Sequence, residues 1–183
     1  MTEAAQPIII TGFMAAGKTT VAAALARRLA CAMIDLDRFI ERREGRTPQV
    51  IIDEDGEPRF REIESLALRD ALETGDARII ALGGGTWTIS DNRALIKEHR
   101  AFTVWLDAPF ELCWQRIAGA NNSRPLARDF DGARKLYDER RAFYDQALLR
   151  VEVREERSAD AVAAQIEAAL LQGPAEQSGQ GKL

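Results

Sequence analysis

Short, uniformly apolar runs alternate along the chain with longer stretches whose apolar residues recur every three or four positions. Ile8-Ile9-Ile10, inside Pro7–Thr11, is apolar without polar interruption, the pattern of a strand covered on both faces. Cys31–Ile34, Arg78–Leu82, Ala101–Leu106 and Val151–Val153 are further short runs that predict strands. Lys18–Ala30 is rich in alanine and carries Val21, Leu25 and Leu29 on one stripe, which predicts a helix. Helices are also predicted over Phe39–Arg43, Arg59–Glu73, Asn92–Glu98, Phe110–Ile117, Ala133–Leu149 and Ala159–Leu171. Thr47–Asp53 reads as strand or helix alike, because Pro48 precedes the run Val50-Ile51-Ile52. Strands that alternate with helices call for a parallel sheet wrapped on both sides, with ligands bound beyond the carboxyl ends of its strands. The expectation is one domain over residues 1–172, followed by a polar tail, 173–183, that is disordered.

Composition narrows the chemistry. The 183 residues are 46% hydrophobic and 30% charged, which excludes a wholly disordered chain. A net charge of −4 gives no global positive field for nucleic acid. No apolar run approaches the ~20 residues of a membrane span, and the start of the chain lacks the basic and apolar regions of an export signal. A cytoplasmic protein is expected. Cys31 and Cys113 are expected as buried thiols in a reducing compartment, and His99 as a surface residue at a helix end. With a single histidine, a multi-histidine metal site is excluded and a Ser-His-Asp triad would need that one residue. Chemistry falls to lysine, arginine, aspartate, backbone amides and a bound metal ion.

Gly12-Phe13-Met14-Ala15-Ala16-Gly17-Lys18-Thr19 fits the pattern G-x-x-x-x-G-K-[ST], after a buried strand and at the start of a helix. Such a loop turns successive N–H groups of Gly12, Ala15, Ala16, Gly17 and the residues through Thr20 around a phosphate, and the helix N-terminus adds partial positive charge. Lys18 is placed to bridge the outer phosphates, and Thr19 to offer a hydroxyl to Mg²⁺. A nucleotide with Mg²⁺ is therefore expected, and the loop alone does not distinguish kinases, hydrolases and switches. In Asp35-Leu36-Asp37, residues two apart on an extended strand point to one side, so both carboxylates face the site. One of the pair suits a metal-bound water and the other the proton of an attacking hydroxyl. In Gly56-Glu57-Pro58-Arg59-Phe60-Arg61-Glu62-Ile63-Glu64, Glu64 lies one helical turn from Arg61 and braces its guanidinium for a carboxylate. Gly83-Gly84-Gly85 brings bare backbone close to something small.

The ordered series GFMAAGKTT, DLD, GEPRFREIE, LGGG and RPLA resembles the shikimate kinase family, over about Ile8 to Tyr144. The resemblance implies a three-layer α/β fold of the P-loop NTPase kind, nucleoside-monophosphate-kinase-like, with a five-stranded parallel sheet. It also implies a substrate-binding segment at about 36–64 and a lid loop at about 119–131. The implied activity is phosphorylation of the 3-hydroxyl of shikimate by MgATP, on the route to chorismate and the aromatic amino acids. Carried over by position, Lys18 and Thr19 are the phosphate lysine and the magnesium hydroxyl. Asp35 reaches the metal through water, and Asp37 grips the ring hydroxyls and is the base. Arg61 and Arg141 clamp the substrate carboxylate. The turn Gly83, Gly84 and Gly85 contacts a substrate hydroxyl, through the amide of Gly84. Arg124 is the lid arginine that meets the transferring phosphate, and Arg116 lies against adenine. No nucleic acid, membrane or second copy is expected as a partner.

Ala15, Ala81, Trp87 and Ala127 depart from the family pattern, and Trp87 is expected to reshape the pocket floor. Two other readings differ from shikimate phosphorylation. A kinase for gluconate or another small hydroxy acid would use the same arginines, although the DLD and triple-glycine combination favours shikimate. A non-catalytic nucleotide-binding relative could dispense with Lys18, Asp37 or Arg124, all of which are present.

Overall fold

The computed structural model describes residues 5–119 and 129–172. Strand β1 (Ile8–Thr11) leads through the glycine loop into α1 (Lys18–Arg28), and β2 (Met33–Asp35) runs directly into α2 (Leu36–Glu44). Helices α3 (Pro48–Asp55) and α4 (Glu57–Thr74) follow, then β3 (Ile79–Ala81), a 3₁₀ turn at Thr86–Thr88 and α5 (Ser90–Glu98). The chain continues through β4 (Phe102–Asp107), α6 (Phe110–Ala118), α7 (Phe130–Tyr144), β5 (Leu149–Glu152) and α8 (Ala159–Gln172).

The five strands form one parallel sheet in the order β2-β3-β1-β4-β5. Consecutive strand residues face opposite sides, yet Ile8, Ile9 and Ile10 are all fully buried, so both faces of the central strand are covered. The expected architecture is therefore present, with β1 in the middle and its loop at the carboxyl edge of the sheet. Packing of α1 on α8, and of α4 against α2 and α3, completes the flanking layers.

Local chemistry decides the segments that the pattern left open or misplaced. Residues 48–55 are helix, because the Thr47 hydroxyl accepts from Val50 N at 3.3 Å and Pro48 occupies the first turn. The helix predicted over Ala133–Leu149 stops at Tyr144, and the last strand starts two residues early. Pairing of Leu149–Glu152 with Val104–Asp107 of β4 takes that backbone for the sheet. Cys113 is buried as expected, whereas Cys31 is only half-buried, and neither forms a disulfide. His99 caps the end of α5, half-buried, with Nδ1 at 2.9 Å from Leu95 O. Among the described residues no helix is long and apolar enough to cross a membrane. Most of the expected lid, Ala127 with it, and the tail 173–183 lie outside the described residues.

Gly12 shows how closely the loop is set on the sheet. Its φ is +143°, and a Cβ there would stand 2.7 Å from the Leu106 carbonyl oxygen. Because that atom is backbone, the strand cannot yield easily. Gly12→Ala is expected to destabilise the fold by more than about 1 kcal/mol, read as a lower midpoint of thermal unfolding.

Candidate active site

At the end of β1 the chain turns through Ala15, a non-glycine residue at φ +60°, and Gly17 at φ +97°. Gly17 is the N-cap of α1 and supplies no side-chain acceptor, so side chains leave the first amides of the helix to the loop. Lys18 Nζ donates to the carbonyls of Gly12 at 3.0 Å and Phe13 at 2.8 Å, which folds its side chain back along the loop. A cleft of about 470 Å³ opens here, lined by Ala15, Ala16, Gly17, Lys18, Thr19 and Thr20 together with Asp35 and Asp37. Arg116 reaches it from α6, donating to Ala15 O at 3.0 Å. Val153, Arg157 and Ala159 complete the same cleft from beyond β5. These three were not singled out from the sequence, because no motif marks them; only the rule that sites gather at carboxyl strand ends points there.

The two aspartates meet in the cleft, though not by the expected geometry. Asp35 ends β2 and caps α2, its Oδ1 accepting from Arg38 N at 3.1 Å, while Asp37 already lies in the first helical turn. Strand alternation therefore does not align them; the strand-to-helix corner does. Thr19 Oγ1 donates to Asp35 Oδ2, so the hydroxyl and the carboxylate stand side by side. This pair of hard oxygens fits Mg²⁺, which takes one or two protein oxygens and completes its shell with phosphates and water. Among the described residues no three His, Cys, Asp or Glu side chains gather to hold a metal alone.

The triple-glycine turn collects the remaining groups. A Cβ on Gly83 would lie 2.6 Å from Glu64 Oε1 and 2.9 Å from Asp37 Oδ1. One on Gly84 would lie 3.4 Å from both Arg140 Nη1 and the backbone N of Met14 in the phosphate loop. One on Gly85 would lie 2.5 Å from Arg61 Nη1 and Nη2. Each missing side chain thus makes room for a functional group, and the turn joins the phosphate loop to an aspartate and two arginines.

Arg61 is braced as its spacing predicts, with Nη1 at 2.7 Å from Glu64 and Nη2 at 2.9 Å from Glu57. Glu64 is itself 1% exposed and accepts the Thr86 hydroxyl at 2.6 Å. Burial works against the Arg61 charge, but the Glu64 and Glu57 carboxylates outweigh it and hold its pKa above the ordinary value. Trp87, expected to reshape the pocket floor, is buried and donates from Nε1 to Phe143 O at 2.8 Å, so it braces the end of α7.

Arg141 is not where the family pattern was carried onto it. Its guanidinium binds Asp107 at 2.9 Å and the Tyr137 hydroxyl at 2.8 Å, and it stacks over Trp105 at 5.1 Å from the ring centroid. Arg140 is the residue that reaches the glycine turn. Helical phase explains the difference: Ala133, Tyr137, Arg140 and Tyr144 form the buried stripe of α7, and Arg141 falls on the next one. That stripe is legible in the sequence from Tyr137 and Tyr144 alone. Arg124 lies outside the described residues.

Comparison with known proteins agrees with this geometry. A family model described as shikimate kinase matches residues 14–171. The shikimate kinase of Salinibacter ruber is 42% identical over 73% of this chain, a match spanning 65% of its own length. That of a Synechococcus species is 37% identical over 87% of this chain and 84% of its own. The solved structure of shikimate kinase from Acinetobacter baumannii in complex with shikimate has a TM-score of 0.84 at 33% identity, covering 92% of this chain and 95% of that one.

Proposed function

The chain belongs to the shikimate kinase family, and on that premise we propose that it transfers the terminal phosphoryl group of ATP to the 3-hydroxyl of shikimate, releasing ADP. The observation that carries this reading is the glycine turn, where Asp37, Arg61, Arg140 and the Met14 amide converge on Gly83, Gly84 and Gly85. A small acid with several hydroxyls needs guanidinium for its carboxylate and both carboxylate and backbone for its hydroxyls. The turn offers each within one residue of the next.

Arg61 and Arg140 hold the substrate carboxylate and so fix the ring against the turn. Asp37 then receives the proton of the 3-hydroxyl as its oxygen bonds to the γ-phosphorus and the bond to the β-phosphate oxygen breaks. Lys18 and the loop amides oppose the charge that accumulates on the phosphates. Arg124, outside the described residues, is the residue that the family resemblance assigns to the same charge. Arg116 and the residues beyond β5 hold the nucleoside end. Thr19 and Asp35 are the residues that would hold Mg²⁺, which supplies charge neutralisation of the phosphates when bound. Two cysteines kept as thiols rather than joined in a disulfide favour a reducing, cytoplasmic setting.

The test is ADP release by the purified protein with shikimate, with gluconate and with neither. Release stimulated by shikimate is expected. Stimulation by gluconate alone, or by no acid despite measurable ATP binding, would replace this reading.

A further inference from the structure

Tyr144 is the largest fully buried side chain in the described fold, and nothing in the reaction uses it directly. Its hydroxyl donates to Gly84 O at 2.5 Å. The Arg140 guanidinium lies against the same corner, with Nη1 3.4 Å from where a Cβ on Gly84 would stand, and its charge acts on the Tyr144 phenol. A phenol has one proton to give, and here Gly84 O takes it, which leaves the lone pairs facing the Arg140 side of the turn. Burial pushes the phenol up to about 12, against the opposing charge of Arg140, so the proton stays in place at neutral pH.

A run of three glycines has no side chain with which to hold its own peptide planes. The C=O and N–H of a trans peptide point in opposite directions, so fixing the Gly84 carbonyl also sets the Gly85 N–H. Trp87 Nε1 donates in the reverse sense, from the turn to Phe143 O at 2.8 Å, and Arg93 binds Trp87 O at 2.7 Å while lying over the Phe143 ring. The end of α7 and the glycine turn are thus tied by reciprocal bonds.

We infer that Tyr144 is a positioning residue for the acceptor: through one hydroxyl it fixes the glycine-turn backbone and the Arg140 guanidinium relative to each other. This rests on the reaction assigned above. The acceptor site is then adjusted as a unit, with the Gly84–Gly85 peptide of the turn and the carboxylate-binding arginine sharing one joint.

Tyr144→Phe keeps the ring and removes the joint. Expected is a fall of about tenfold in kcat/KM for shikimate, carried by KM, with KM for ATP within about twofold of the original. In the double variant with Arg140→Met, the combined loss should be smaller than the product of the single losses, since both remove one assembly. A tyrosine fluorinated at all four ring positions, whose phenol ionises close to neutral pH even after the upward push of burial, should keep activity at low pH and lose shikimate affinity as pH rises. An unchanged KM for shikimate, equal losses for both substrates, fully multiplicative losses in the double variant or a flat pH profile would each overturn the inference. ADP release by the unsubstituted protein, measured alongside, separates the two readings. Its absence with shikimate defeats the assigned reaction; its presence beside an indifferent Tyr144→Phe defeats the positioning role.

Discussion

Asp37→Asn is expected to lower kcat for shikimate phosphorylation by about 10²–10⁴-fold while ATP binds as before. The amide keeps the size of the carboxylate and can still accept a hydrogen bond from the acceptor hydroxyl, but it has little affinity for the proton. Asp37 lies beside Gly83, and Glu64, the other carboxylate at that glycine, already accepts from Thr86 and pairs with Arg61. Glu64 is therefore a poor substitute base. Single-turnover rates, with ATP affinity measured separately by titration, distinguish loss of chemistry from loss of binding. A variant that retained near-original turnover would remove Asp37 from the proton path.

The second large effect discriminates two adjacent arginines. Arg140→Met should reduce kcat/KM for shikimate by at least about 30-fold, since losing one partner of a buried charge pair costs roughly 2–5 kcal/mol. Arg141→Met should leave kcat/KM for shikimate within about twofold. Its effect falls on the fold instead: Asp107, 8% exposed, would keep Arg150, at 2.6 Å, as its one cation among the described residues. Because Arg141 is more than a third exposed, solvent screening limits that loss to about 1 kcal/mol, seen as a lower unfolding midpoint. Exchange of the two phenotypes would return the carboxylate clamp to Arg141.

That pair also shows where sequence reading succeeds and where it slips. The phosphate loop is legible because its mechanism dictates residue types at fixed intervals, and each of Gly12, Gly17, Lys18 and Thr19 has a local reason to be there. The Arg61–Glu64 brace is legible for the same reason, as helical spacing brings them together. Both aspartates line the cleft, though pleating does not put them there: the strand ends at Asp35, which caps the helix whose first turn carries Asp37. Arg141 follows from the family motif alone, where a single-residue slip rotates a helical side chain by about 100°. Thr86, Val153 and Arg157 depend on contacts across long stretches of chain, which spacing cannot express.

Asp35 has a consequence of its own. One of its oxygens starts a helix and the other receives the hydroxyl of the phosphate loop, so a single carboxyl group spans the two halves of the catalytic cleft. The segment that presents Asp37 cannot shift without dragging Thr19, and nucleotide and acceptor ends are geared together at that point. Any redesign that aims a new acceptor by moving the start of α2 must rebuild this linkage, or it will detune the loop that carries the donor.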